Sequence, residues 1–376
     1  MSPPAGRGAL DGLPAMDVAR RIAELREAIG AGEVDALVVS KLVNVRYLTG
    51  FTGSAGLLLV LPDEVVLVTD GRYGQQASEQ LAAAGVAARV EVSGTGLREL
   101  AAAAVTGSGV RRLGLEADAV TWAQQRTYAD SWFPEVELAP TVGLVDDLRL
   151  VKDDGEVARI EAAASNADQA LAHVRTRLLE SPTEAVFGLE LDFEIRRLGA
   201  SGNSFETFVA SGPNGAKPHH RPSPRHIVEG DLVVLDFGAV VDGYCSDMTR
   251  TVMVGEPSPT QARMLEVVTA AQQAGVDAVG DGVATADVDA ACRRVIDDAG
   301  WGDAFLHATG HGVGLEIHEA PRVAATADAT LAPGVVVTVE PGVYLPTHGG
   351  VRVEDTLVVT RDGSRPLTST PKTSAV

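Results

Sequence analysis

Between residues 17 and 29, Val18, Ile22, Leu25 and Ile29 recur at helical spacing among polar neighbours, which predicts an amphipathic helix. Short unbroken apolar runs follow at Ala36–Val39, Leu57–Leu61 and Val65–Val68. Each is bounded by turn residues and reads as a buried strand of an α/β domain. Gly50, Gly53 and Gly56 punctuate the connection between the first two runs, which is expected to be a hairpin. Alanine-rich stretches at 76–89 and 97–105 predict helices, Leu113–Ala117 predicts a further strand, and the pattern closes near Val145.

The pattern then changes. Residues 146–155 are polar and charged, so a boundary is expected there, between an N-terminal domain of residues 15–147 and a second domain of residues 151–365. A long helix is predicted from about Asp154 to Leu179. Ser181, Pro182, Thr183 and Glu184 have the form of a capping box with proline at the first helical position, opening a helix to about Leu198. Beyond it the periodicity predicts strands at 205–210, 232–241 and 244–254, helices near 259–280 and 285–299, and strands at 335–340 and 351–360. Two helices followed by strands thus occur twice, which suggests an internally duplicated α+β unit.

Composition narrows the function classes. A chain of 376 residues with 45% apolar and 22% charged residues is long enough for two packed cores. Two cysteines, Cys245 and Cys292, do not make a disulfide scaffold. The net charge of −20 opposes nucleic acid and anionic membranes, and no basic run reverses this. A solvated acidic surface explains most of that charge. The start of the chain lacks a long apolar segment and the longest apolar run is far too short for a bilayer, so a soluble cytoplasmic protein is expected. Residues 1–14 and 362–376, rich in small and polar residues and proline, are expected to be loose tails.

Candidate chemistry starts at the dipeptide Asp242-Gly243, a strong signal for a two-residue hairpin. With that turn, Val241 pairs with Tyr244 and Gly238 with Asp247, and Asp236 becomes the diagonal neighbour of Asp247 on one face. Two carboxylates so placed repel unless a cation lies between them; the alternative, two solvent-facing aspartates on an edge hairpin, is opposed by the very apolar flanking runs. Further along, Gly310 and Gly312 flank His311 and permit close backbone approach, with His307 just upstream. Glu340 ends an apolar strand, and Arg352 and Glu354 alternate with valines, so that they share a charged face. Asp236, Asp247, Glu340 and Glu354 supply four negative charges, two divalent ions would supply four positive ones, and a bridging hydroxide has room. An oxygen-rich set with one imidazole suits manganese, with cobalt or zinc as alternatives. Such a pair of ions activates water and polarises a carbonyl, so peptide hydrolysis is the natural chemistry.

These segments also carry a resemblance. Leu235 to Ala239, Ser246 to Thr251, Gly310 to Gly314, Thr338 to Gly342 and Val351 to Asp355 look like the five metal-ligand blocks of the pita-bread metallopeptidases, in matching order and spacing. Within that superfamily the chain is similar to aminopeptidase P and prolidase over its whole length except the tails. The resemblance implies an α/β N-terminal domain of the creatinase/prolidase type and an α+β pita-bread catalytic domain with a pseudo-twofold repeat. It implies that Asp236 holds one metal, that His311 and Glu340 hold the other, and that Asp247 and Glu354 bridge. Glu340 would be the general base. His219 matches the substrate-facing histidine, although His220 follows it and could take the role instead. His307 and His318 match histidines that line the proline pocket and shuttle protons, and Arg352 matches an arginine beside the bridging glutamate. Asn44 to Gly53 and Thr69 to Tyr73 resemble the accessory domain, which in such enzymes caps the site, commonly from a partner subunit; a homodimer is therefore expected. Tyr47 and Arg72 are read as structural.

The expected activity is therefore that of an Xaa-Pro aminopeptidase, with proline in the second position of its peptide substrates. The alternative is an Xaa-Pro dipeptidase, which needs a cation for the carboxylate after proline; Arg322 is placed for that role or for a surface role. A binding module on the same fold and a metal-free creatinase are opposed by the filled ligand positions. Methionine aminopeptidase is opposed by the long N-terminal domain.

Overall fold

The computed structural model describes residues 12–373 and 375–376. They divide into a unit of Met16–Arg149 and a larger unit that begins at Leu150 and also takes in residues 12–15.

In the smaller unit, α1 (Val18–Ala31) buries Val18, Ile22, Leu25 and Ile29, the face its periodicity predicts. Burial of each such side chain contributes about 1.5–3 kcal/mol. Six strands form one sheet: β1 (Ala36–Val39), β2 (Leu57–Val60), β3 (Val65–Thr69), β4 (Arg89–Val92), β5 (Arg112–Glu116) and β6 (Glu137–Thr141), in the order β4-β3-β2-β1-β5-β6. The connection from β1 to β2 corrects the expected hairpin. The two strands are antiparallel, but α2 (Leu42–Thr49) lies between them and ends on Gly50 at φ 74°. Glycine adopts that left-handed angle without a Cβ clash, which stops the helix. The helix expected over 76–89 also ends early: α3 (Gly74–Ala83) stops before Gly85, φ 68°, and the residues beyond it supply β4. Tyr47 and Arg72 both have partners within this unit. The Tyr47 hydroxyl donates to the Leu148 carbonyl at 2.8 Å, and Arg72 pairs with Asp70 at 2.8 Å.

The larger unit opens with α4 (Asp154–Val174), capped reciprocally by Asp153 and Glu156, and continues with α5 (Glu184–Arg197). Both pack on a sheet of β7 (Phe208–Ser211), β8 (Leu232–Phe237) and β9 (Met248–Met253), through a core that includes Ala167, Leu171, Phe187, Leu191, Leu235 and Met248. The arrangement then recurs. The helices α6 (Pro259–Ala278) and α7 (Thr285–Asp298) are followed by β10 (Gly310–Gly312) and β11 (Glu319–Val323), and β10 lies in the sheet between β11 and β12 (Val336–Val339). The two helices share a second core with β11, β12, β13 (Gly342–Leu345), β14 (Gly349–Arg352) and β15 (Asp355–Thr360). Here Val268, Val288 and Ile296 meet Val337, Val339 and Leu357. No helix among the described residues is long and apolar enough to cross a membrane.

Three further expectations need correction. The capping box at Ser181 does not form. Ser181 is left-handed at φ 54°, Thr183 is the N-cap of α5, and Glu184 turns inward to other partners. The single strand over 351–360 is two strands with a break at Val353-Glu354, where the Glu354 amide donates to the Thr249 carbonyl at 3.1 Å. The C-terminal segment is not loose: residues 363–366 pair with β15, and Asp168 accepts from the amides and hydroxyls of Ser369 and Thr370 at 2.6–2.8 Å. The Arg250 guanidinium donates to the Thr370 carbonyl at 2.6 Å. A serine- and threonine-rich stretch reads as loose from composition, yet its hydroxyls satisfy buried charges in this unit. In the N-terminal stretch, the Pro14 carbonyl accepts from Arg159 at 2.9 Å; the rest of that expected tail falls on residues 1–11, outside the described residues.

Candidate metal centre

One turn and the strand alternation build the first half of the site. Asp242 and Gly243 have φ of 45° and 78°, the two positive angles that a type I′ hairpin requires. Val241 pairs with Tyr244, Phe237 with Met248 and Asp236 with Thr249, so the register expected from the turn runs through the whole hairpin. Asp236 and Asp247 are therefore diagonal neighbours on one face. His311 arrives on β10. A Cβ on Gly310 would strike the Thr338 carbonyl oxygen, and one on Gly312 the Ala320 carbonyl oxygen, so glycine at both positions lets this strand lie close to its neighbours. Glu340 follows β12 directly, and Glu354 sits in the break after β14, where its backbone bond to Thr249 turns it toward the hairpin.

The fold brings these residues together. His311 Nε2 lies 3.5 Å from Asp247 Oδ2 and 3.5 Å from Glu340 Oε1. Ligand atoms of Asp247, His311 and Glu354 all lie within 4.8 Å of one another. Arg352 ties the remaining carboxylate in, donating to Asp236 Oδ2 at 2.6 Å and to Thr249 Oγ1 at 3.0 Å. The Thr249 hydroxyl in turn donates to Glu354 Oε2 at 2.8 Å. Arg352 thus pairs directly with Asp236 and reaches the glutamate only through Thr249.

Such crowding is costly for the protein alone. Burial, reinforced by the charges of Glu354, Asp236 and Glu340, raises the Asp247 carboxyl well above its ordinary range. Burial, with Glu340 and Asp236, does the same to Glu354. Glu340 is pushed up to about 8, by burial first and by Asp236 against the opposing pull of Arg352. Two buried oxygens, Asp236 Oδ1 and Glu354 Oε1, have no hydrogen-bond partner. Buried carboxylate oxygens are rarely left so, because each forfeits its hydration.

The donor set fits a divalent cation on these grounds. Donors held about 2.1 Å from one ion stand roughly 3–3.5 Å apart, close to the spacing of His311 Nε2 from its two carboxylate neighbours. His311 Nδ1 faces the Gly312 carbonyl at 3.0 Å, so the proton resides on Nδ1 and the Nε2 lone pair points at the carboxylates. Burial holds this imidazole down at about 4, so it stays neutral at neutral pH.

A cavity of about 520 Å³ opens over the cluster and is lined by Asp236, Asp247, His311 and Glu340 together with Phe208, His219, His307, His318 and Arg322. Of the two neighbouring histidines, His219 lines the cavity, whereas His220 Nε2 faces the Glu184 carboxylate at 3.1 Å. The His318 ring stands edge-on to His311 at 4.4 Å and is exposed at the cavity wall. His307 donates from Nδ1 to its neighbour's carbonyl at 2.8 Å and accepts at Nε2 from the Tyr344 hydroxyl at 2.8 Å. Burial and the Arg352 charge hold it down at about 4. Tyr344 also accepts from Arg352 at 2.8 Å, so a continuous chain runs from His307 to Asp236. Sequence reasoning missed Thr249, Tyr344 and Glu184. Thr249 was available from strand alternation, two residues from Asp247; Tyr344 and Glu184 had no such signal, because their partners come from distant elements.

Comparison with known proteins shows the family. The family model for metallopeptidase family M24 matches residues 158–361, and that for the creatinase/prolidase N-terminal domain matches residues 21–151. An uncharacterized peptidase, YqhT, of Bacillus subtilis is 41% identical over 352 residues, which cover 94% of this chain and 98% of that protein. Among solved structures, an Xaa-Pro dipeptidase from Bacillus anthracis superposes with a TM-score of 0.92 at 38% identity, covering 95% of this chain and 99% of the other. An X-Pro aminopeptidase from Thermotoga maritima superposes with a TM-score of 0.86 at 31% identity, covering 94% and 99%. With the family model spanning residues 158–361 and relatives this similar along nearly the full chain, the protein belongs to metallopeptidase family M24: a peptidase with a creatinase-type N-terminal domain and a pita-bread catalytic domain.

Proposed function

We propose that this protein hydrolyses the peptide bond between an N-terminal residue and proline, using two divalent ions, manganese first, held by Asp236, Asp247, His311, Glu340 and Glu354. The observation that carries this reading is the pair of orphaned buried oxygens, Asp236 Oδ1 and Glu354 Oε1, within a cluster whose other members crowd around a neutral imidazole. Ions bound there would supply an activated water and a polarised scissile carbonyl. Glu340 is the general base in this reading, placed beside His311 at the end of β12. Arg352 keeps Asp236 oriented by its 2.6 Å bond. His307, fixed by Ala308 and Tyr344, offers a rigid wall for the proline ring, and His219 faces the substrate across the cavity.

His318 lies beside His311 but outside the ligand set, and in this reading it delivers a proton to the departing proline nitrogen. His318→Ala is expected to lower kcat by roughly 10²–10⁴ and to leave metal content unchanged. Elemental analysis of the purified variant beside its rate checks this; a loss of metal in step with the rate makes His318 a ligand instead.

For peptide length, the aminopeptidase reading accommodates longer substrates in the open cavity. The dipeptidase reading is favoured by a specific observation, the place of the Arg322 cation on the cavity wall, where it can pair with a free carboxylate after proline. Manganese-loaded protein should be given an Xaa-Pro dipeptide, an Xaa-Pro-Yaa tripeptide and the same tripeptide with alanine in place of proline. The aminopeptidase reading requires the alanine peptide to be a poorer substrate than its proline counterpart, and turnover of the dipeptide alone selects the dipeptidase. Cleavage of the alanine peptide as fast as its proline counterpart overturns the proline-directed reading.

A further inference from the structure

Glu184 is a glutamate without solvent exposure in the first turn of α5. Its two oxygens accept from the Ser211 amide and hydroxyl, each at 2.7 Å, from Asn214 Nδ2 at 3.1 and 3.2 Å, and from the Ser223 amide at 3.1 Å and hydroxyl. His220 Nε2 completes the set at 3.1 Å. Although burial works against ionisation, the donors from Ser223, Ser211 and Asn214 hold the carboxyl below its ordinary value. A carboxylate so fully satisfied is a rigid hub, and removing any one donor loosens the rest.

The partners of this hub have one thing in common. Ser211 ends β7, whose Phe208 pairs with Asp236, and the segment that follows carries Asn214 in a short 3₁₀ helix (Gly212–Ala216) and then His220 and Ser223. That segment carries His219 into the cavity, next to Phe208 at a ring separation of 6.1 Å. Residues 217–220 form a turn in which the His220 amide donates to the Lys217 carbonyl at 3.2 Å. Within it the two side chains diverge: His220 is fastened to Glu184, and His219 lines the cavity. The segment is fastened a second time where the Pro218 carbonyl accepts from Arg352 at 3.3 Å.

We infer that Glu184, acting through His220, is a positioning residue that sets the place of His219 over the metal centre, although it touches neither the cavity nor the ligand cluster. The inference rests on the reading of His219 as the substrate-facing histidine. The outward histidine then owes its orientation to the inward one, so the adjacent pair is one device.

A double-mutant cycle tests this on the full-length, manganese-loaded protein with an Xaa-Pro peptide. His220→Ala is expected to lower kcat/KM about tenfold, as is usual for residues that orient a functional group, with metal content and melting temperature near those of the parent. His220→Gln, whose amide N–H can still donate to Glu184, is expected to restore most of the loss. In a His219→Ala background, His220→Ala is expected to cost nothing further, because its effect passes through His219. Glu184→Gln is the more severe variant and risks unfolding, so the His220 variants carry the test. Losses that multiply in the double variant, or no loss in His220→Ala, overturn the inference while leaving the reading of His219 intact. A His219→Ala variant as active as the parent overturns that reading, and the inference with it.

Discussion

Asp247→Ala is expected to abolish turnover, lowering kcat/KM by about 10³-fold or more, and to leave the purified protein unable to hold its normal complement of metal. Asp247 is 5% exposed and faces His311 and Glu354 across the gap that the cation would fill. In the proposed ligand set it would touch both ions, so its loss should weaken both positions at once, whereas loss of a residue serving one ion would leave the other in place. Glu354→Ala should behave in the same way, with the further effect that Thr249 loses its acceptor. Elemental analysis and activity measured on the same preparation decide the matter. A variant retaining two tightly held ions and a near-parental rate removes Asp247 from the ligand set.

Chelation is expected to lower the melting temperature, and the deficit should grow with pH. A carboxyl group whose folded-state affinity for its proton is raised stabilises the fold fully below its unfolded value, and this contribution is lost as pH rises through the folded value. Glu340 moves from an ordinary 4.5 to about 8, raised chiefly by burial, and Asp247 and Glu354 are shifted in the same direction. The metal-free protein should therefore lose stability steadily between pH 4.5 and 8, at about 1.4 kcal/mol per pH unit for each group that must give up its proton. The loaded protein behaves oppositely, because metal binds the deprotonated ligands and leaves as they protonate. Free manganese at 100 times its dissociation constant adds about 2.7 kcal/mol, or roughly 5–10 °C for a domain of this size. Melting curves with and without chelator should thus diverge toward pH 8 and converge toward pH 5. Parallel curves, at verified metal removal, would refute a buried carboxylate cluster built to hold ions.

Much of this was legible before any coordinates. The hairpin register followed from Asp242-Gly243 alone, since a type I′ turn leaves no freedom in which residues face each other. The glycines around His311 announced close backbone contact. The limits are equally physical. Gly50 and Gly85 each end a helix by adopting a left-handed angle, and a pattern of apolar residues does not register a backbone angle. Glu184 looked like a helix-capping glutamate because capping is a local rule, whereas its partners lie 27–39 positions away. Composition marked the C-terminal stretch as loose because serine and threonine are common in loops; nothing local to it reveals Asp168 and Arg250 waiting some 200 and 120 positions upstream.

That last arrangement bears on the order in which the catalytic unit can be completed during synthesis. Arg250 stands three residues from Asp247 in the hairpin, buried at 3% exposure. It is satisfied by Asp355, the Glu354 carbonyl and the Thr370 carbonyl. On a translating ribosome the hairpin emerges more than 100 residues before those partners exist. Until they do, Arg250 is a charge that cannot be taken out of water, and β9, the strand that carries it, cannot settle into its sheet. The smaller unit, with a core of its own, is free to fold first. The hairpin beside Asp247 is therefore expected to settle only after residues 355–370 have been added.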